Sequence, residues 1–403
     1  MRGADYLREL RKCPRPTELA FPVAEYQARV AKVRSRMEAA GVDLLLVTSP
    51  LNLCYLAGYN TFSVDLHACL LVPRQADLVI QVSAMDLPAA LLTGWIDHIE
   101  TYDWNEQERL PERLASLVRE QGLERGRIGM DLEMPSLPVR WYEEFRRLLP
   151  EAQFEDASGL VFTVRLIKSP TELEYMRQAA KITAAGLRAS YRAVAPGNTD
   201  NDVARAGYDA MVGAGSEFLS VEPIVTSGRR SGWAHTTFKR TPLHPGDVVF
   251  LEYGGCYQRY TAPMMRTVSI GEPSPTVRRV ADAVRATVEL VIENVRAGRT
   301  ASDVARAARN GHAALDSEVY FQEIYGEATG LSFPPSLVEG SGESALIAEG
   351  VEQVLQPGMT FHLPIAMRLP GNFCVGLSET IAVTETGCEI LTEKGRGLVV
   401  IDA

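Results

Sequence analysis

The chain has 403 residues, of which 46% are hydrophobic and 23% charged, and its formal net charge is −10 at pH 7. This composition is that of a folded protein long enough for two domains, and it excludes disordered and fibrous classes. The acidic balance, without any Lys/Arg run, argues against a nucleic-acid partner and favours a small molecule. Neither a secretory signal nor an apolar run of membrane-spanning length occurs, so we expect a cytoplasmic protein with no membrane partner.

The first part of the chain predicts an α/β domain. Residues 24–40 have the spacing of an amphipathic helix that ends at Gly41, and the apolar segment VDLLLVT that follows predicts a buried strand. Further apolar segments, ACLLV, DLVIQVS and RIGMDL, alternate with helical patterns at 106–120 and 139–148. This alternation is typical of a mixed sheet covered by helices, and we place the domain at residues 1–165.

The second domain, at residues 166–403, begins with a helix signal and contains an internal repeat. Ser169 as N-cap, Pro170 at the first helical position and Glu172 three residues after the cap form a capping-box pattern. The segment GNTDNDVARA recurs as GRTASDVARA, and HPGDVVFLEYGG recurs as QPGMTFHLPIAM. Two echoes in the same order predict two helix-helix-strand-strand halves related by a pseudo-twofold axis.

Residues 251–268, LEYGGCYQRYTAPMMRTV, predict two strands joined by a turn at the Gly-Gly pair. Glu252 lies inside the first strand, and Pro263 stands where the second strand would carry a functional side chain. A carboxylate inside an apolar strand has to be paired, protonated or functional, because burying it alone is costly. A structural ion pair between Glu252 and Arg266 is the alternative to a functional role.

Five segments in order resemble the pita-bread superfamily of creatinase, prolidase and aminopeptidase P: TSGRRSGWAH, LHPGDVVFLEYGG, RYTAPMMRTV, LQPGMTFHL and LSETIAVTETGCEIL. The resemblance covers nearly the whole chain. It implies a creatinase-type α/β N-terminal domain followed by an α+β pita-bread catalytic domain. It also implies a homodimer in which the N-terminal domain of one subunit closes the site of the other.

In the metallopeptidases of this fold, five side chains hold two metal ions. The matching positions here are Glu252, Pro263, Glu327, Pro364 and Glu379. Proline has no side-chain donor atom, so two of the five ligands are missing, and the second of these prolines matches Glu252 through the internal repeat. A two-metal clamp cannot be built from the remaining carboxylates, and we expect neither a metal nor another cofactor.

Among members of the fold that work without a metal, RYTAPMMRT resembles the ectoine hydrolases more than creatinase, which has an acidic residue where Met265 stands. The resemblance implies hydrolysis of a non-peptide C–N bond in a small zwitterionic compound, with ring opening of ectoine to an N-acetyl-diaminobutyrate as the leading reaction. Glu252 is then the nucleophile, His235 moves the proton, and Glu379 orients the substrate or shares a proton with Glu252. The predicted substrate contacts are Glu327, Phe333 and His362, together with Tyr59, Phe62 and His67 from the partner's N-terminal domain, which would stack on a cationic ring.

Three other functions stay open. A creatinase-type amidinohydrolase is disfavoured by Met265, and an Xaa-Pro metallopeptidase would need a metal in spite of Pro263 and Pro364. A non-catalytic pita-bread module that binds a peptide or histone would have no need to keep the set of Glu252, His235 and Glu379. Structural roles also stay open for single residues: a purely structural role for Glu379, an exposed loop position for His235, a solvated position for Glu327, and core packing for His362 and the N-terminal aromatic residues.

Overall fold

The structure is a computed structural model that describes residues 2–14, 17–132, 138–334, 336, 338–339, 345–393 and 395–403. The chain divides into two units, Met1–Arg165 and Leu166–Ala403. Across the described residues, no helix combines the length and the apolar character needed to cross a bilayer.

The first unit consists of seven described helices and six strands. The helices are α1 (Gly3–Leu10), α2 (Val23–Ala40), α3 (Pro50–Ala57), α4 (Leu87–Thr93), α5 (Leu110–Glu120), α6 (Val139–Leu148) and α7 (Phe162–Arg165). The strands are β1 (Leu44–Val47), β2 (Cys69–Pro73), β3 (Val79–Ser83), β4 (Ile99–Tyr102), β5 (Arg127–Met130) and β6 (Gln153–Asp156). They form one sheet in the order β4-β3-β2-β1-β5-β6, in which β1 pairs antiparallel with β2 and parallel with β5. The predicted mixed sheet is therefore confirmed.

Local chemistry explains where the helices of this unit begin and end. Helix α2 ends at Gly41, whose φ of 72° is a left-handed conformation that glycine adopts without strain. The helix predicted at 106–120 is shorter than expected, because residues 104–109 form a 3₁₀ helix instead. Pro111 accounts for the difference, since its ring has no N–H and is tolerated only in the first turn of α5.

The second unit contains four described helices and twelve strands. The helices are α8 (Pro170–Ala193), α9 (Asp200–Gly213), α10 (Pro275–Asn294) and α11 (Ala301–Arg309). The strands are β7 (Leu219–Ser227), β8 (Val248–Tyr257), β9 (Tyr260–Thr261), β10 (Met264–Ile270), β11 (Gly326–Ala328), β12 (Leu346–Ile347), β13 (Thr360–His362), β14 (Ile365–Leu369), β15 (Phe373–Leu377), β16 (Thr380–Val383), β17 (Cys388–Ile390) and β18 (Val399–Ile401). Two sheets have the orders β18-β10-β8-β7, with β9 beside β8, and β12-β11-β13-β16-β17; β14 and β15 pair separately.

The internal repeat of the sequence appears as a repeat of structure. Helix α8 begins at the predicted capping box of Ser169. The hydroxyl of Thr199 accepts a hydrogen bond from the Asp202 N–H at the start of α9, and Thr300 accepts one from Asp303 at the start of α11. Each half therefore consists of a long helix, a threonine-capped second helix and strands, as the duplicated motif predicts.

The hairpin formed by β8 and β9 turns later than the sequence predicts. Strand β8 continues through Gly254 and Gly255, and the turn lies at Gln258 and Arg259, whose φ values are 50° and 66°. A Cβ atom on Gly254 would collide with the Ser220 side chain, and one on Gly255 would collide with a side chain of α8. The two glycines thus allow neighbouring elements to approach the strand, which is a different use of glycine from the predicted turn.

Side-chain alternation along β8 separates the core from the candidate site. Val249, Leu251 and Tyr253 are fully buried in a cluster with residues of α8 and α9. The intervening side chains, Phe250 and Glu252, point to the opposite face of the sheet, because successive residues of a strand alternate. Glu252 is thereby directed away from the helices and into a cavity.

Candidate active site

A cavity of about 690 Å³ lies in the second unit, over the face of β7, β8 and β10 that points away from the helices. Glu252 pairs across the sheet with Ile224 of β7 and Met265 of β10, and all three side chains line the cavity. Further lining residues come from the loop after β7, from β11 and from the start of β14. Its acidic and basic side chains are Glu222, His235, Glu252, Glu327 and Arg368.

Glu252 is the most strongly perturbed carboxyl of the cavity. Its side chain is 7% exposed, and burial raises its pKa to about 8, with the charge of Glu327 raising it further and that of Arg368 opposing the rise. The sequence left open an ion pair with Arg266, but that arginine binds Glu379 at 3.1 Å. Arg266 pairs with Leu251 across β10 and β8, so it lies on the helix side of the sheet and not on the cavity side.

Glu327 joins Glu252 in the cavity, which the sequence left undecided. It lies on β11 opposite His362 of β13, and burial raises the pKa of its carboxyl as well. Because the charge of Glu327 raises the pKa of Glu252, ionisation of both carboxyl groups at once is disfavoured, and the two groups form a site that attracts a cation. The structure therefore pairs Glu252 with Glu327, where the sequence had paired it with Glu379.

His235 lies at the cavity on the loop that follows β7. Its φ of 52° is a left-handed conformation that costs free energy for a residue with a side chain, and such strain is concentrated at functional sites. The loop is fixed at Thr237, whose hydroxyl donates to the Pro223 carbonyl at 2.6 Å and whose own carbonyl accepts from Arg230 at 2.7 Å. His235 is exposed, so its ring is accessible to a ligand in the cavity.

The prediction for Glu379 has to be corrected. This residue is fully buried, forms ion pairs with Arg266 and Arg396, and accepts a hydrogen bond from the Thr392 hydroxyl. It follows Ser378 directly, and adjacent residues of an extended chain point in opposite directions. Ser378 is the one that points toward the strands of the site, with its hydroxyl 2.7 Å from Nε2 of His362.

Two other predicted contacts are held inside the second unit. Phe333 is 7% exposed and stacks on the Arg259 guanidinium at 4.1 Å, and it is not among the lining residues. His362 is fully buried, and burial lowers its pKa to about 3, so its ring is neutral. Its Nε2 contacts the Ser378 hydroxyl, neither residue lines the cavity, and the prediction that His362 contacts the substrate is not supported by its position.

The three predicted residues of the N-terminal unit differ in exposure. Tyr59 is 1% exposed and its hydroxyl donates to Asp86 at 2.6 Å, while His67 is 8% exposed and stands edge-on to Trp141. Both are packed within their own unit, so neither is available for stacking on a ligand. Phe62 is 83% exposed. Closure of a partner's site by the N-terminal domain stays a prediction, and of these three residues only Phe62 is exposed enough to take part in it.

Several lining residues were missed by the sequence. Trp233 and Tyr320 line the cavity, are more than half exposed and offer aromatic faces to a ligand. The sequence had predicted such faces from the N-terminal domain. Arg368 is the one arginine or lysine among the described lining residues. The sequence pattern that could have identified Arg368 is its spacing of two and four residues from Ala366 and Pro364, because alternate residues at β14 lie on one face.

The cavity does not provide the donor set of a metal centre. Pro364 lines the wall without a donor atom, and the backbone of Pro263 instead accepts a hydrogen bond from Thr380. Among the described residues, three His, Cys, Asp or Glu side chains come within metal-binding distance of one another only at His312, Asp316 and Glu323, none of which lines the cavity. Arg309 forms ion pairs with both of those carboxylates. The residues present therefore do not fit a two-metal site.

The comparisons with known proteins agree with this architecture. Residues 174–385 match the model of metallopeptidase family M24, and residues 29–167 match the creatinase/prolidase N-terminal domain. The ectoine hydrolase of Halomonas elongata is 30% identical over 407 residues, which cover 95% of this chain and 98% of the relative. An uncharacterized hydrolase/peptidase of Sinorhizobium fredii is 31% identical over 95% of this chain and 99% of its own length.

A solved structure extends the likeness to the whole fold. The Xaa-Pro dipeptidase from Bacillus anthracis superposes with a TM-score of 0.81 at 23% identity, and the match covers 93% of this chain and 100% of the dipeptidase. At this level of identity the comparison concerns the fold alone. With both family models matched in order along the sequence, the chain belongs to metallopeptidase family M24 and carries a creatinase/prolidase N-terminal domain.

Proposed function

We propose that the protein is a metal-independent hydrolase that cleaves a non-peptide C–N bond in a small zwitterionic compound, with ectoine, a cyclic amidine, as the leading substrate. The observation that carries the proposal is the pair of buried carboxyl groups, Glu252 and Glu327, in a cavity where Pro364 and Met265 stand beside them. The likeness to ectoine hydrolase over 95% of the chain supports the same choice.

The charge of the substrate explains how Glu252 becomes reactive. With a pKa of about 8, Glu252 is largely protonated in the free cavity at neutral pH, and a protonated carboxyl does not attack. An amidinium bound between Glu252 and Glu327 favours the ionised form of both, because an opposite charge nearby lowers the pKa of a carboxyl. Binding of the cation therefore produces the nucleophile that the reaction needs.

The reaction adds one water molecule across the amidine carbon. Glu252 attacks this carbon, and a ring C–N bond breaks as His235 gives a proton to the departing nitrogen. The neutral His235 then takes a proton from the water that releases Glu252, so that the carbon ends as an amide carbonyl and the freed nitrogen as an amine. In this scheme Glu327, and not Glu379, holds the cationic N–H group.

The aromatic residues of the cavity supply the remaining contacts. Trp233 and Tyr320 present exposed rings at the mouth, and Phe250 lies beside Glu252 on the same face of β8. A flat cationic ring gains from contact with aromatic faces in addition to the carboxylates. These residues replace the N-terminal aromatic residues as the stacking surface in the proposal.

The test uses metal-stripped protein incubated separately with ectoine, hydroxyectoine, creatine and an Xaa-Pro dipeptide, with the products followed by NMR. Ring opening of ectoine, unchanged when manganese or cobalt is added, is the expected result. Turnover of creatine alone would select the amidinohydrolase, and turnover of the dipeptide alone, restored by added metal, would refute the proposal. Glu252→Gln is the negative control, because it keeps the shape of the side chain and removes the nucleophile.

A further inference from the structure

Arg368 is the lining arginine of the cavity, and the proposed reaction gives it no role. It lies on β14 on the same face as Pro364 and Ala366, which also line the cavity. Its N–H donates to the Tyr320 carbonyl at 3.0 Å, and its carbonyl accepts from the Tyr320 N–H at 2.7 Å. On the other edge it pairs with Cys374 of β15. The side chain is therefore presented by a backbone held on both sides.

The guanidinium of Arg368 has few partners of its own. Its Nη1 reaches the Ala366 carbonyl only at 3.5 Å, and its Nε is enclosed without a hydrogen-bond partner among the described residues. No described carboxylate forms an ion pair with it, whereas the buried Arg266 binds Glu379 and three backbone carbonyls. A guanidinium carries five N–H donors, and unmet donors in a partly buried place cost free energy.

The charges that line the cavity are suited to a ligand with two opposite charges. Glu252 and Glu327 attract a cation, while the positive charge of Arg368 acts on Glu252 from the same cavity. A ligand that is only a cation would satisfy the carboxylates and leave the guanidinium without a partner. A ligand that also has a carboxylate satisfies both ends.

We propose that Arg368 binds the carboxylate of the substrate and thereby selects zwitterionic amidines over amidines that lack a carboxylate. The inference rests on the proposed function for the identity of the reaction, and it adds the residue that sets the substrate class. A guanidinium and a carboxylate form two parallel hydrogen bonds in a fixed geometry, which would also fix the amidine carbon in front of Glu252. No bond to Arg368 is made or broken, so it is a specificity residue.

The experiment compares two ligands on two proteins. Ectoine and the same methylated cyclic amidine without its carboxyl group are each measured with wild type and Arg368→Gln, by kcat/KM and by the dissociation constant from calorimetry. Wild type is expected to prefer ectoine by about 10- to 100-fold, and Arg368→Gln to lose most of that preference. For the carboxyl-free amidine, kcat/KM and the dissociation constant of Arg368→Gln should differ from those of wild type by no more than a few-fold. Arg368→Lys keeps the positive charge but lacks the planar guanidinium that forms two parallel hydrogen bonds, and it should retain part of the preference for ectoine.

Arg229→Gln is the matched control, because Arg229 is an exposed arginine on a separate surface pocket beside the cavity. It should keep the wild-type preference. An equal preference in wild type and Arg368→Gln overturns the inference, as does a wild type that does not discriminate between the two ligands or binds neither. If wild type binds ectoine selectively through Arg368 but hydrolyses neither compound, the proposed reaction fails while the carboxylate site stands.

Discussion

Replacing Glu252 by glutamine should remove activity and at the same time make the folded protein less sensitive to alkaline pH. The carboxyl has an ordinary pKa of 4.5 and a pKa of about 8 in the fold. Below pH 4.5 the carboxyl is protonated in both the folded and the unfolded chain, so it does not change the free energy of unfolding. As the pH rises from 4.5 to 8, the unfolded chain releases the proton and the folded chain keeps it, and the free energy of unfolding falls.

The magnitude follows from the size of the pKa change. Each unit is worth about 1.4 kcal/mol, so wild type should lose about 4 kcal/mol relative to Glu252→Gln between pH 5 and pH 9. Glu252 is 7% exposed, so solvent screening reduces this figure little. Urea unfolding of both proteins at pH 5, 7 and 9 measures the difference. Turnover of ectoine by the variant should fall about a thousandfold or more, because the nucleophile is gone.

A control separates this effect from a general response to pH. Glu352 is an exposed glutamate of the second unit, and Glu352→Gln, which removes no buried carboxyl, is the matched control measured at the same three pH values. If the difference between wild type and Glu252→Gln is also independent of pH, the carboxyl is ionised in the fold and the reasoning about the cavity is refuted. A Glu252→Gln protein with near wild-type turnover would remove the nucleophile assignment.

Two further predictions concern the other carboxylates. Because the charge of Glu327 raises the pKa of Glu252, the rise of kcat/KM expected near pH 8 in wild type should move to lower pH in Glu327→Gln; an unmoved pH profile would contradict the coupling. Glu379→Gln should lower the free energy of unfolding by about 3–5 kcal/mol, because it leaves the buried Arg266 without its carboxylate, while the folded protein keeps its turnover. A stable, folded Glu379→Gln protein as inactive as Glu252→Gln would restore the catalytic role that the sequence suggested for Glu379.

The sequence correctly predicted the features that depend on local pattern. The capping box at Ser169 and the duplicated DVARA segments fix where α8, α9 and α11 begin, because a cap needs only residues three positions apart. The replacement of two ligand positions by Pro263 and Pro364 is likewise visible in the residue types alone. From these the fold class and the unsuitability of the site for two metals could be predicted.

The sequence-based predictions were wrong where a shift of one residue along a strand, or a neighbour distant in the sequence, decides the position of a side chain. Gly254 and Gly255 were interpreted as a turn, but they lie inside β8, where Ser220 and α8 leave no space for a side chain. Glu379 was placed beside Glu252, yet a shift of one position along an extended chain turns a side chain to the other face, where Arg266 binds it.

The sequence by itself determined the order of the elements, the family, and Glu252 as a carboxyl inside an apolar strand. Only the tertiary structure decided which charges share a cavity with it. Glu327, 75 residues away along the chain, and Arg368, more than a hundred away, meet Glu252 because strands from the two halves of the repeat are brought to one cavity. The partners of a buried charge are set by packing across the fold, and no local pattern in the sequence records them.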